Sequence, residues 1–271
     1  VRNATGVVSH FVSVGRDITD RRKAAEADSR HLLARAVQQR LFPASPPAAC
    51  GYDIAGAVYT ADKTGGDYYD YLSLPDGCTG IVVGDVSGHA FDAAFVMAET
   101  RAYLRSIAQT SSDPGEILTL VNRALVADTA DNQFVTLVLC SLDPASHALR
   151  YASAGHVTGV VLGKTGAVKA ELPSTGLPLG LFPNQSFTTA SSPSLEPGDI
   201  VALFTDGVIE TDTAEGVPFG SERPLDVIRR YRREPAAKIV HRLYRAVRDF
   251  AGRRPHADDI TAVICKVDPR P

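Results

Sequence analysis

Apolar and polar positions along this chain predict its elements one stretch at a time. Residues 6–18, "GVVSHFVSVGRDI", read as one strand followed by a stop. A single strand cannot bury itself, so this piece needs partners. Residues 19–42 read as a helix, with Thr19 as N-cap and acids alternating with bases after it. Ile18, Ala25, Leu32, Val37 and Leu41 approximate a stripe at helical spacing, and Pro43, Pro46 and Pro47 end it. So narrow a stripe points to pairing with a partner helix; a surface helix of the same domain is the alternative.

Beyond the prolines the period changes. "YDIAGAVYT" and "DYYDYLSL" alternate, Pro75-Asp76-Gly77 makes a turn, and "TGIVVGDV" follows as a strand. Residues 90–111 and 113–129 read as two consecutive helices. Asp113 is the expected N-cap of the second, with Pro114 at its first position and Glu116 completing a capping-box-like start. "QFVTLVLCSL", "ALRYASAG", "VTGVVLGK" and "DIVALFTDG" read as strands, residues 221–233 and 236–251 as helices, and "DITAVICKV" as a last strand. Runs of strands separated by pairs of helices predict an α+β layering and not βαβ units. The expected domains are residues 1–18, the end of something longer, a linker helix at 19–47, and one large domain at 48–271.

Composition changes this picture little. The 271 residues carry a formal net charge of −3, which gives no general attraction to nucleic acid or anionic lipid. The basic run at Arg229, Arg230, Arg232 and Arg233 reads as a solvated helix face, with a docking surface as the alternative. Cys50, Cys78, Cys140 and Cys265 are scattered without zinc spacing; Cys140 and Cys265 lie in apolar runs, as buried thiols in a reducing cytoplasm would. No apolar run is long enough for a membrane span, and no signal peptide is expected.

The candidate chemistry lies where strands end on aspartate. Asp85 closes "IVVGD", Asp67 follows "TGG", Asp206 follows "IVALFT", and Asp258 and Asp259 precede "ITAVIC". One such residue is ordinary turn chemistry. Four such places in one domain suggest carboxylates converging along a sheet edge, which repel unless a cation joins them. Oxygen-only ligands select Mg²⁺ or Mn²⁺, and two such ions make a phosphoryl-transfer centre. Adjacent glycines, Gly88 among them, would give clearance for metal or phosphate.

At these residues the chain resembles a known family. "TGGDYYDY", "VVGDVSGHAFDAAFVMA", "YASAGH", "STGLPLGL", "LFTDGVIET" and "DDITAVIC" occur in order, like the motif series of bacterial SpoIIE-type phosphatases, a branch of the metal-dependent (PPM, or protein phosphatase 2C) superfamily. The resemblance spans roughly residues 41–267. It implies a four-layer α-β-β-α sandwich of two antiparallel sheets flanked by helices, and hydrolysis of phosphoserine or phosphothreonine by water activated by two Mn²⁺ or Mg²⁺ ions. It implies that Asp85 bridges both ions, that Asp67 holds one with the carbonyl of Val86 nearby, and that Asp206 and Asp258 hold the other. Asp259 is the second choice, a neighbour of the ligand. By the same analogy the substrate is a phosphorylated anti-sigma-factor antagonist in a partner-switching pathway.

Other residues keep two readings. His89 would protonate the leaving alkoxide or cap the following helix; His156, in "SAGH", would order a turn or act in the site. Lys63 stands where eukaryotic relatives place a phosphate-binding arginine, and otherwise reads as a loop lysine. The chain departs from the family at Ser87, where eukaryotic relatives have a histidine, at Ala90 and at Thr64; none of these removes a ligand. "FVSVGRDITDRRKAAE" is similar to the last strand and exit helix of a PAS sensor, which implies a homodimer through residues 20–42. "AVQQRLFP" would sit where the family places a regulatory helix that controls metal-site assembly. Two other classes compete: a scaffold that binds a partner without turnover, which loss of an aspartate would favour, and a GGDEF-type cyclase, which Tyr68 and Tyr69 after "GGD" contradict.

Overall fold

A computed structural model describes residues 4–6, 35–61, 64–88, 90–128, 133–252 and 258–268. The expected PAS-like strand and most of the linker helix lie outside the described residues. Among the described residues, ten strands form two five-stranded sheets in which every named strand pairing is antiparallel. One sheet has the order β1 (Tyr52–Tyr59), β10 (Ile260–Val267), β9 (Ile200–Phe204), β6 (Gly159–Leu162), β7 (Val168–Leu172). The other runs β2 (Tyr68–Ser73), β3 (Thr79–Val86), β4 (Val135–Leu142), β5 (Leu149–Ala154), β8 (Ala190–Ser191).

Side-chain alternation along each strand builds three hydrophobic layers. Ile81 and Val83 of β3, Val201 and Leu203 of β9, and Val263 and Cys265 of β10 meet between the sheets. The alternate positions of β9 and β10, Ala202, Phe204, Ala262 and Ile264, face the other way. There they pack on Ile228 of α4 (Glu222–Tyr231) and on Ile239 and Leu243 of α5 (Ala236–Ala251). Val82 and Val86 of β3 turn toward Met97 and Leu104 of α1 (Ala90–Ile107) and Ile117 and Val121 of α2 (Pro114–Asp128). The result is the four-layer α-β-β-α sandwich. Strands buried on both faces explain why "IVV", "IVALF" and "AVIC" read as continuous apolar runs.

Local signals hold in detail, with three corrections. Asp113 caps α2, accepting the Glu116 N–H at 2.9 Å, but Glu116 does not complete a capping box: its carboxylate takes the Ser111 hydroxyl instead, at 2.6 Å. The strand "DIVALFTDG" stops at Phe204, because Asp206 opens a short helix, α3 (Asp206–Glu210), where a carboxylate suits the helix N-terminus. Of the linker stripe, Leu41 packs on the helical core, whereas Val37 is 63% exposed; the position turned inward is Gln38. Cys78, Cys140 and Cys265 are buried thiols and Cys50 is exposed.

Candidate active site

The two sheets bring their aspartates to one place. Asp67 directly precedes β2, and Asp85 is the penultimate residue of β3, in register with Thr136 of β4 and next to Gly84, which pairs with Tyr68 of β2. Asp206 opens α3 after β9, and Asp258 and Asp259 directly precede β10. A hydrogen bond joins the two groups across the sheets: the Thr205 hydroxyl donates to Asp67 Oδ2 at 2.8 Å. Thr205 therefore does not cap α3 with its side chain; the same oxygen accepts the Thr261 N–H at 3.2 Å.

Asp259 is spent on backbone. Its Oδ1 accepts the Ala61 N–H at 2.8 Å and its Oδ2 the Asp67 N–H at 3.4 Å, and it is buried. Asp258 is exposed, and one of its oxygens accepts the Asp259 N–H at 2.8 Å. Glycine makes this approach possible: a Cβ on Gly65 would lie 1.7 Å from Asp259 Oδ2, and one on Gly66 2.7 Å from the Val86 carbonyl oxygen and 3.2 Å from Asp85 Oδ1. Gly88 differs, with φ of +98° and no protein atom within 4 Å of the missing Cβ; its own backbone conformation is what calls for glycine.

Charge accumulates without compensation. Among the described residues, no ion pair involves Asp67, Asp85, Asp206, Asp258 or Asp259. Burial and the carboxylates of Asp206, Asp258 and Asp259 push the Asp85 carboxyl up to about 7. Burial, then Asp85 and Asp259, raise Asp67 well above the usual carboxylate range, and burial with Asp258 and Glu210 raises Asp206. One oxygen of Asp206, Oδ1, is buried with no hydrogen-bond partner. Among the described residues, no three acids, histidines or cysteines are drawn into a closed cluster able to hold a metal by themselves. An all-oxygen set that is mutually repelling, lacks a cation and leaves an orphaned carboxylate oxygen fits hydrated hard divalent ions, which keep several waters and need few protein ligands each.

Sequence reasoning left four contributors unassigned. Thr205 and Thr261 stood inside quoted motifs, and only their positions beside ligand-type residues marked them. Gln38 is buried and grips Gly65 twice: its Nε2 donates to the Gly65 carbonyl at 2.5 Å, and the Gly65 N–H donates to Oε1 at 3.2 Å. Arg101 of α1 donates to the Leu41 carbonyl at 2.7 Å and lies 3.7 Å from the buried Asp70, so the same linker turn is also held by α1. The Ser87 hydroxyl accepts the Phe134 N–H at 2.8 Å. His156 is buried with Nδ1 2.9 Å from the Thr136 hydroxyl, and burial pushes its imidazole down to about 4. His89 and Lys63 lie outside the described residues.

Known proteins are similar to this chain in sequence and fold. The family model described as Stage II sporulation protein E (SpoIIE) matches residues 75–268. The phosphoserine phosphatase RsbU of Bacillus subtilis is 27% identical over 243 residues, covering 89% of this chain and 71% of RsbU. Among solved structures, the SiaA-PP2C domain of Pseudomonas aeruginosa superposes with a TM-score of 0.79 at 24% identity, over 93% of this chain and all of that one. The RsbU and RsbW domains of Rv1364c from Mycobacterium tuberculosis give 0.71 at 27% identity, over 85% of this chain and 64% of that one.

Proposed function

The chain belongs to the SpoIIE family and is a phosphoprotein phosphatase, and on that premise we propose that it removes phosphate from phosphoserine or phosphothreonine with the help of two Mn²⁺ or Mg²⁺ ions. The observation that carries the metal reading is the uncompensated carboxylate set, with its orphaned Asp206 Oδ1. Asp85 would serve both ions, Asp67 with the Val86 carbonyl one of them, and Asp206 with Asp258 the other. The ions, when bound, would offset phosphate charge and acidify water. Thr205 orients Asp67, and Asp259 holds the backbone of Ala61 and Asp67, so Asp67, just before β2, keeps its place between the sheets.

The finer reading follows the family. The substrate is a phosphorylated anti-sigma-factor antagonist, and the setting is a cytoplasmic partner-switching pathway. Residues 48–271 are the phosphatase domain, 19–47 a signalling helix and 1–18 the end of a PAS-like sensor. Among the described residues, no helix is long and apolar enough to cross a membrane. The exposure of Val37 supports pairing of residues 20–42 with a second copy. The Gln38 contacts with Gly65 support control of the site by the linker.

Phosphoserine, phosphothreonine and phosphotyrosine forms of one peptide test the reaction. Cation-dependent release of phosphate from the first two, abolished by EDTA, is expected. Release only from phosphotyrosine, or release unaffected by EDTA, would overturn the reading.

A further inference from the structure

A cavity of about 560 Å³ opens beside Asp206, within the size range of ligand sites. Glu171 of β7, Glu210 at the end of α3 and Glu222 at the start of α4 contribute carboxylates to its lining. Glu222 is paired with Arg229 at 3.4 Å. Glu171 and Glu210 make no ion pair and no side-chain hydrogen bond among the described residues. Val157 and Ile209 add apolar wall between the acids.

A second feature is independent of the carboxylates. His156 lines the same cavity and is 5% exposed; its Nδ1 is engaged with Thr136, and its Nε2 is buried with no hydrogen-bond partner. A neutral imidazole carries one donor and one acceptor nitrogen, so Nε2 is left with an unmet hydrogen bond. The cavity thus offers negative charge, an unsatisfied imidazole nitrogen and apolar wall, and it is continuous with the site through Asp206. The acids come from three different elements, β7, α3 and α4. Their spread suits a long side chain that carries several donors on an aliphatic stem.

We propose that this cavity is a recognition subsite for an arginine or lysine that flanks the phosphorylated residue of the substrate protein. The inference rests on the phosphatase reading and adds a substrate preference to it. Asp206 borders both the cavity and the site, so the basic residue lies within a few positions of the phosphoserine, each extended residue spanning at most about 3.6 Å.

The test uses phosphoserine peptides that are identical except for Arg, Lys, Ala or Glu at those flanking positions, with p-nitrophenyl phosphate turned over in parallel. The Arg or Lys peptide is expected to exceed the Glu peptide in kcat/KM by about tenfold or more, mainly through KM. Comparing Arg with Lys tells a bidentate fork from a point charge. Glu171→Gln is expected to shrink the Arg-to-Ala ratio at least about threefold, and Glu171→Lys to shift the preference toward the Glu peptide. Such ratios, taken within one preparation, are insensitive to the fraction of active protein. Equal kcat/KM for all peptides with normal p-nitrophenyl phosphate turnover would overturn the subsite and leave the phosphatase reading standing. Absence of turnover of every substrate in any cation would overturn the phosphatase reading and the subsite with it.

Discussion

Replacing Gln38 by leucine removes two buried hydrogen bonds while keeping the side chain's bulk. The Gly65 N–H and carbonyl then lack partners, at about 1–3 kcal/mol each. Water that reaches the loop offsets part of this, so about 2–4 kcal/mol is lost from the contact between linker and loop. Gly65 touches Asp259, whose carboxylate holds the Ala61 and Asp67 N–H groups. If the linker sets the position of the Asp67 loop, part of that energy must appear in cation affinity. A transfer of about 1.4 kcal/mol is tenfold. Turnover of p-nitrophenyl phosphate, titrated with Mn²⁺ and Mg²⁺, is expected to need about tenfold more cation for half its maximum in Gln38→Leu. The maximal rate at saturating cation should stay within roughly twofold. A variant that melts at lower temperature but keeps the wild-type cation requirement would refute the coupling and leave Gln38 a structural residue.

Three further outcomes are expected. Gly65→Ala places a methyl 1.7 Å from Asp259 Oδ2, so Asp259 must leave its backbone partners; kcat/KM should fall at least about tenfold in a chain whose circular dichroism is unchanged. Thr205→Val keeps shape but deletes the hydroxyl on Asp67, and calorimetric titration should show cation affinity reduced about tenfold. The buried His156 titrates near 4 in the fold and near 6.5 when unfolded, so the unfolded chain binds the extra proton between those values. The stability attached to the neutral ring is intact above about pH 6.5, falls as pH drops, and is fully lost below about pH 4, a total of about 3 kcal/mol. Urea titrations across this window should show His156→Gln losing that much less than wild type; parallel losses in the two proteins would contradict the burial account.

How far the sequence could be read depended on whether the signal was local. Period-2 alternation and long apolar runs marked eight of the ten described strands but not β7 or the two-residue β8, and Asp113 with Pro114 marked the start of α2, because each depends on its own few residues. The aspartates were legible because acid and glycine recur at strand ends. Their roles were not separable by type: Asp259 is buried on backbone N–H groups and Asp258 is exposed, a difference that arises from the loop at Ala61, nearly two hundred residues away. Gln38 was hidden for the same reason. A glutamine in a helical stripe reads as a solvent position until Gly65 is brought against it. α3 was missed because a five-residue helix carries too little periodicity to separate from a turn.

The central claim is that these aspartates form a cation-dependent hydrolytic centre. Its most direct test is hydrolysis of p-nitrophenyl phosphate by the purified chain in EDTA, Mg²⁺ or Mn²⁺, beside Asp85→Asn. Turnover that requires a divalent cation and falls at least about a hundredfold in the variant is the expected result. Turnover that persists in EDTA, or an Asp85→Asn variant as active as wild type, would contradict it.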